Sequence, residues 1–205
     1  MEISVINIQA MEISASAYHG LLWGVRRSIR YHERRRSVFE RFNLATNAVA
    51  LIFGSATILA VFAEVAKLAD SKWWTISPAA FVTLMSSLNL VIGTVQKAQR
   101  HHDLARRFIE LEQELVQSDP SDLQSVRRLQ AKRLEIEADE PPILQIVDIL
   151  SHNELMRAGG YDPESYPKDY YKVGFWRTLF SPCFDLFPNS VKKIDQPKPL
   201  AGSVS

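Results

Sequence analysis

The chain contains the uncharged stretch LATNAVALIFGSATILAVFA at residues 44–63 and a second one, WWTISPAAFVTLMSSLNLVIGTV, at residues 73–95. At a helical rise of about 1.5 Å per residue, each stretch matches the roughly 30 Å hydrocarbon core of a bilayer. Only residues 64–72 separate them, so the two helices would form a hairpin whose outer ends lie on the same side of the membrane. The sequence therefore predicts an all-α membrane protein, a two-transmembrane helical hairpin with cytoplasmic helical extensions. The alternative is a helical bundle in which both stretches are core helices.

The charges around the two stretches predict their orientation. Arginines precede the first stretch at Arg26, Arg27, Arg30, Arg34, Arg35 and Arg36. By the positive-inside rule, the protein is expected in the bacterial inner membrane as a multi-pass protein with cytoplasmic N- and C-termini. The arginines would contact anionic lipid, and a pocket for a negatively charged ligand is the alternative. Because the formal net charge of the chain is only +1, no direct binding of nucleic acid is expected.

Composition divides the chain into six segments. In chain order they are a disordered N-terminus (1–15), a basic cytoplasmic helix (16–43), the hairpin (44–95), a cytoplasmic helical region (96–160), an aromatic-rich segment (161–188) and a disordered tail (189–205). The letters MEIS recur at residues 1–4 and 11–14, which leaves open a translation start at Met11. The aromatic-rich segment is expected either to lie at the membrane interface or to pack against the helices.

The helical region shows an apolar heptad pattern followed by two helix boundaries. Apolar residues recur at spacings of four and three at Leu104, Phe108, Leu111 and Leu115, which predicts a seam for pairing with another helix or with another subunit. Asp119 is expected to cap a second helix that runs to about Glu137 and pairs antiparallel with the first. A third helix is expected from near Ile143 to the pair Gly159 and Gly160.

Small and hydroxyl side chains share one face in each uncharged stretch. They are Thr46, Ala50, Gly54 and Thr57 in the first, and Ala79, Thr83, Ser86 and Gly93 in the second. Such residues let helices approach closely and form hydrogen bonds between them. We therefore expect these stripes to pack helices together or to line a pore.

Residues that could support catalysis are sparse. The triplet His101, His102 and Asp103 would need metal ligands from other helices. Asp148 and His152 lie four residues apart and could share a metal or a proton, although this spacing is more typical of an ordinary helix-surface pair. Cys183 is the only cysteine, so neither an intramolecular disulfide nor a cysteine-based zinc site is expected. The sequence has no glycine-rich phosphate loop. We expect a protein that is not an enzyme, with no cofactor and no metal.

Several short motifs resemble one known family. They are RRSIRYHERRR at 26–36, TNA at 46–48, EADEPP at 137–142 and HNE at 152–154. Together with the two uncharged stretches, they resemble the SLATT proteins, two-span bacterial membrane proteins, over about residues 20–180. The resemblance implies a membrane effector of bacterial conflict systems that oligomerises and breaches the membrane when a partner senses infection, often through a nucleotide signal.

The function expected from the sequence is thus that of a non-enzymatic, oligomeric, pore-forming effector in an antiviral or conflict response. Its expected partners are membrane lipids, further copies of the chain and a nucleotide-signal sensor or generator. The first alternative is a membrane-anchored scaffold or regulatory protein that binds a cytoplasmic partner. A membrane-tethered, metal-dependent hydrolase that uses His101, His102 or His152 is the second.

Overall fold

The computed structural model describes residues 2–65, 73–181 and 188–194. The helices in this part of the chain are α1 (Glu2–Val65), α2 (Trp73–Ile92), α3 (Thr94–Gln117), α4 (Leu123–Ala138), α5 (Gln145–Ala158) and α6 (Phe175–Phe180). Two short strands, β1 (Tyr171–Lys172) and β2 (Lys192–Lys193), pair antiparallel with Tyr171 opposite Lys193. The predicted helical fold is confirmed. The chain divides into unit 1, residues 1–34 and 102–205, and unit 2, residues 35–101.

The core of unit 1 is formed by α1, α3 and α4. The buried side chains come from α1 (Tyr18, Leu21, Val25 and Ile29), from α3 (Leu104, Phe108, Leu111 and Leu115) and from α4 (Val126, Leu129 and Ile136). Those of α1 recur every three or four residues, the spacing of one helix face. The seam predicted on α3 is confirmed, because its four residues are at most 3% exposed. The Tyr18 hydroxyl donates a hydrogen bond to the Leu115 carbonyl at 3.1 Å.

The cap of α4 differs from the prediction. Asp122 is the N-cap, and its carboxylate accepts a hydrogen bond from the Gln124 N–H at 3.0 Å. The predicted cap, Asp119, instead accepts from the Ser121 N–H at 2.8 Å. Because this short turn already uses the Asp119 carboxylate, the next aspartate caps the helix.

The boundaries of α5 lie close to those predicted. The helix begins at Gln145 rather than near Ile143, and it ends where the Gly159 N–H donates to the Leu155 carbonyl at 2.9 Å. Gly160 follows with a φ of 81°, a left-handed conformation that glycine adopts without a steric penalty.

Unit 2 contains the C-terminal part of α1, all of α2 and the first residues of α3. Gly93 separates α2 from α3 with a φ of 63°, so the second uncharged stretch is not one continuous helix. The two long helices of the unit meet through a hydrogen bond from the Asn89 amide to the Asn43 side-chain oxygen at 3.0 Å. The rings of Phe53 and Phe81 also meet, with centroids 5.3 Å apart.

The predicted two-transmembrane hairpin is wrong. Across residues 2–65, 73–181 and 188–194, no helix combines the length and the apolar character needed to cross a membrane. The prediction counted the absence of charge, but α2 stops at Ile92 and the stretches carry hydroxyl and amide side chains such as Thr46 and Asn89. The predicted inner-membrane, multi-pass localisation and the pore-forming role depended on those spans, so both are corrected with them. Most of the predicted connector, residues 66–72, lies outside the described residues.

The ends of the chain also differ from their predictions. The helix α1 begins at Glu2, where the sequence analysis expects disorder through residue 15. Part of the expected tail, residues 189–194, contributes to a 3₁₀ turn (Pro188–Ser190) and to β2, while residues 195–205 lie outside the described residues. The aromatic-rich segment contains a second 3₁₀ turn (Pro167–Asp169), β1 and α6, and its Tyr170 is buried.

Candidate assembly face and candidate ligand cavity

Unit 2 exposes large apolar side chains along both of its long helices. We call this set the apolar face; it comprises Phe42, Leu44, Leu51, Ile52, Phe53, Ile58 and Leu59 on α1, and Phe81, Leu84, Leu90 and Val91 on α2. Leu51 is 75% exposed and Leu90 is 82% exposed. Exposed apolar residues are ordinary when scattered singly, whereas a set this large marks a surface that binds something.

The apolar face exists because a pair of helices has few neighbours to pack against. Among the described side chains of unit 2, the buried ones are Phe39, Thr46, Thr94, Ala98 and His101. None of them lies between residues 47 and 93. The rings of Phe39 and His101 stack with centroids 5.8 Å apart, so close packing in this unit is concentrated at one end of the helices.

The small-residue stripes occupy varied environments. Thr46 is buried, and its hydroxyl donates to the carbonyls of Phe42 at 3.0 Å and Asn43 at 2.9 Å within its own helix. A Cβ added to Gly54 would meet nothing within 4 Å, so none of the described residues approaches this glycine closely. Ala50 is half-buried, Thr83 and Ser86 are exposed, and Gly93 forms the turn after α2. The side chains of Thr57 and Ala79 lie outside the described set.

The arginines predicted to bind anionic lipid or ligand mostly pair with carboxylates of the same chain. Arg26 pairs with Glu112 at 2.6 Å, Arg27 makes a bidentate pair with Asp148, Arg34 pairs with Glu154 at 2.8 Å, and Arg36 pairs with Glu40 at 2.7 Å. The Arg35 guanidinium lies over the Phe39 ring at 4.9 Å. Arg30 differs, because its guanidinium makes a single long hydrogen bond of 3.5 Å to the Arg26 carbonyl. In the described part of the chain it has no carboxylate partner.

A buried histidine lies within the basic run of α1. His32 is fully buried, and its Nε2 lies 3.0 Å from a carboxylate oxygen of Glu140. Its ring stacks on Phe108 with centroids 5.7 Å apart, and the neighbouring Tyr31 hydroxyl accepts a hydrogen bond from the Leu144 N–H at 3.0 Å. This pair was not predicted from the sequence. The available signal was a histidine inside RRSIRYHERRR together with a carboxylate just before two prolines.

A cavity of about 260 Å³ lies in unit 1 beside the basic run. Trp23, Arg26 and Arg30 line it from α1, Glu112 from α3, and Leu155 and Gly159 from α5 and its end. The Trp23 ring meets the edges of His152, with centroids 6.2 Å apart, and of Tyr161, at 6.4 Å. The cavity therefore combines two guanidinium groups, one carboxylate and an indole. Trp23 and Glu112 were not predicted as site residues, because nothing in the local spacing shows that α1, α3 and α5 meet here.

The residues considered as metal ligands each make a different contact. His101 is buried against Phe39, Asp148 is bound by Arg27, and His152 Nε2 lies 2.9 Å from the Asp169 carbonyl oxygen. Within the described residues, no group of three or more histidine, cysteine, aspartate or glutamate side chains is placed to hold a metal ion.

Comparisons of the chain with protein-family models, with curated proteins and with solved structures find no match.

Proposed function

We propose that this protein is a non-enzymatic scaffold that associates with further copies of itself through the apolar face of unit 2. The observation that supports this most is the exposure of long apolar side chains on two neighbouring helices, among them Leu51, Leu90 and Val91, each at least 75% exposed. Water contact with such a set is unfavourable, and covering it would bury a large apolar area.

The size of the apolar face suits association with a second copy. Burying one Leu-, Ile-, Val- or Phe-sized side chain removes about 60–120 Å² from water. Eleven such side chains, each between 37% and 83% exposed, offer an area on the order of several hundred Å². A standard interface buries about 800 Å² per partner, so the apolar face would supply a large part of that area.

A second copy is favoured over an unrelated partner because the face is long, apolar and almost uncharged. A two-fold interface is formed by the same patch on both subunits. An apolar patch can therefore pack against the same apolar patch of a second copy. Open space at Gly54 leaves room for an approaching helix.

The resemblance to SLATT proteins supports a narrower proposal for the biological role. It suggests an assembling, non-enzymatic protein that acts in a bacterial conflict response, with a nucleotide-signal sensor or generator as an upstream partner. This part rests on the likeness of residues 20–180 alone. Co-purification of such a partner with the tagged chain from its native host would support it, and loss of defence upon deletion would test it directly.

Disulfide cross-linking in intact cells tests the self-association. Cys183 is first changed to Ser, and a single cysteine is then placed at Leu51 or Leu90. Oxidation should give a cross-linked dimer on a denaturing gel at whichever of the two positions lies near the two-fold axis, because equivalent positions of two copies approach each other only there. The matched control is Leu134→Cys, since Leu134 is 59% exposed but lies on α4 of unit 1.

Cross-linking only at Leu134, or equally at all three positions, would contradict an interface on the apolar face. A second variant tests the chemistry: Leu51→Lys should abolish cross-linking through Leu90→Cys, whereas Leu134→Lys should leave it unchanged. A chain that stays monomeric and partitions into lipid vesicles would overturn self-association as the role of this face.

A further inference from the structure

We propose that the cavity beside Trp23 binds a small organic anion, with the guanidinium groups of Arg30 and Arg26 contacting its carboxylate or phosphate and the indole contacting a planar apolar body. This inference concerns unit 1 and does not depend on self-association through unit 2.

The balance of charge on the cavity wall points to an anion. Arg26 and Arg30 contribute two cations, while Glu112 contributes one carboxylate, which binds Arg26 Nε at 2.6 Å. The wall therefore carries one uncompensated positive charge. Arg30 supplies it, because its only hydrogen bond in the described chain is the 3.5 Å contact with the Arg26 carbonyl. A guanidinium presents five donors, so most of the donor capacity of Arg30 is unused.

The contrast with neighbouring arginines makes the state of Arg30 informative. Arg27 and Arg34 lie on the same helix and both bind carboxylates of α5, Asp148 and Glu154. The fold thus supplies partners to the arginines on either side and leaves Arg30 facing a cavity. A guanidinium and a carboxylate or phosphate match in geometry and can form two parallel hydrogen bonds.

The remaining walls define the rest of the ligand. Trp23 offers an indole, which favours contact with planar or aromatic groups, and Leu155 is a buried apolar side chain. A volume of about 260 Å³ lies at the small end of ligand sites. This volume suits a single-ring compound with one acidic group. The matching probes are phenyl phosphate and benzoate, and inorganic phosphate and benzyl alcohol each represent one half of the ligand.

Isothermal titration calorimetry on the full chain tests the assignment. Phenyl phosphate or benzoate should bind at least tenfold more tightly than benzyl alcohol, which lacks the charge, and than inorganic phosphate, which lacks the ring. Tighter binding of phenyl phosphate would assign a phosphate ligand, and tighter binding of benzoate a carboxylate ligand; both results support the site. Equal affinity for inorganic phosphate and phenyl phosphate would overturn the role of Trp23.

Two substitutions with opposite expected signs separate a binding role from a structural one. Arg30→Gln should weaken binding about tenfold or more, because it removes a charge-assisted contact. Glu112→Gln should strengthen binding several-fold, because it removes the carboxylate that competes for Arg26. If these residues only maintained the structure, both substitutions would weaken binding. Weaker binding in Glu112→Gln would therefore overturn the proposal.

The control for net charge is Arg127→Gln. Arg127 is exposed on α4 and, within the described residues, has no carboxylate partner. This variant loses the same charge as Arg30→Gln and should bind the probes as the unchanged chain does. Equal weakening of probe binding in the two variants would show that Arg30 acts only through non-specific electrostatic attraction, and this would contradict the proposal. No measurable binding of any probe at millimolar concentration would overturn the site altogether.

Discussion

Unit 1 and unit 2 are both helical, but they differ in how far their apolar side chains are buried and their charged side chains are paired. In unit 1, apolar residues such as Phe108 and Leu111 are fully buried, and arginines of α1 pair with carboxylates of α3 and α5. In unit 2, Leu51 and Leu90 are largely exposed, and few described side chains are buried. The difference indicates that unit 1 holds a core of its own, whereas unit 2 has apolar surface left over for a partner.

The largest difference between the units is expected when a leucine is replaced by alanine in each of them. Leu111→Ala removes a fully buried side chain from unit 1 and should lower the free energy of unfolding by about 2–5 kcal/mol. Leu51→Ala removes a 75% exposed side chain from unit 2 and should change the stability of the monomer by no more than about 0.5 kcal/mol. Chemical denaturation followed by circular dichroism, at protein concentrations too low for association, measures both.

Equal losses in the two variants would show that Leu51 is packed within its own chain, and the distinction between the units would fail. A loss at Leu51 that appears only at high protein concentration would instead agree with the proposed assembly, because association stabilises the folded state by mass action.

A second test concerns the buried polar pair of unit 1. Glu140→Ala leaves the buried His32 ring without the carboxylate that lies 3.0 Å from its Nε2, and this should cost about 2 kcal/mol of stability. The matched control is Glu110→Ala, which breaks an exposed pair with Arg106 four residues away on the same helix. That change should cost only about 0.3–0.5 kcal/mol. Thermal unfolding compares the two, and a similar cost would mean that burial does not strengthen the contact with His32.

A third test measures how closely each unit packs around a helical glycine. A Cβ at Gly24 of unit 1 would clash with the Arg133 guanidinium. Among the described residues, a Cβ at Gly20 of unit 1 or at Gly54 of unit 2 would meet nothing within 4 Å. Alanine is favoured over glycine within a helix by about 0.5–1 kcal/mol. Gly20→Ala and Gly54→Ala should therefore gain stability, as thermal unfolding would record.

At Gly24 the same substitution must displace the Arg133 guanidinium and disturb its 2.7 Å pair with Glu137. Gly24→Ala should therefore gain less than Gly20→Ala or lose stability. A full gain at Gly24 would show that the Arg133 side chain moves aside at no cost. No gain at Gly54 would show that this part of unit 2 is already closely approached.

Local patterns predicted the helices of unit 1 well. The spacing of Leu104, Phe108, Leu111 and Leu115 on α3 identified its buried seam, and the two glycines marked the end of α5. These signals succeed because heptad spacing and backbone conformation depend on residues near in sequence. The cap at Asp122 was missed by three residues, because Asp119 and Asp122 are both good N-cap residues and only the three-dimensional turn separates them.

Contacts between segments that lie far apart in the sequence could not be predicted from local patterns. The pair of Arg27 with Asp148 spans 121 positions, and the cavity joins three helices, so neither has a local signal. The prediction of membrane spans failed for a different reason. It took the absence of charge in two stretches as sufficient and gave little weight to their polar residues and to the helix break at Gly93.

The smallest expected effect is a pH dependence confined to unit 1. A hydrogen bond from the Ser125 hydroxyl, at 2.5 Å, is the main cause that holds the pKa of Asp122 below its ordinary value of 3.8, and the backbone N–H of Ser125 adds to it. Because the pKa is lower in the folded state, the ionised carboxylate stabilises the fold at pH values above 3.8. That contribution is lost as the pH falls through the lower folded-state pKa.

Asp122→Asn keeps a capping side chain but removes its titration, so the thermal midpoint of this variant should fall less than that of the unchanged chain between about pH 5 and about pH 2. Asp119, whose pKa is lowered mainly by the Ser121 hydroxyl, still titrates in the variant, so part of the acid dependence should persist. The control in unit 2 is Glu40→Gln, which removes a half-exposed carboxylate paired with Arg36. Since exposed pairs of this kind contribute little, its midpoint should follow that of the unchanged chain. If Glu40→Gln reduces the acid dependence as much as Asp122→Asn does, carboxylates of the two units stabilise the fold alike, and charge pairing does not distinguish unit 1 from unit 2.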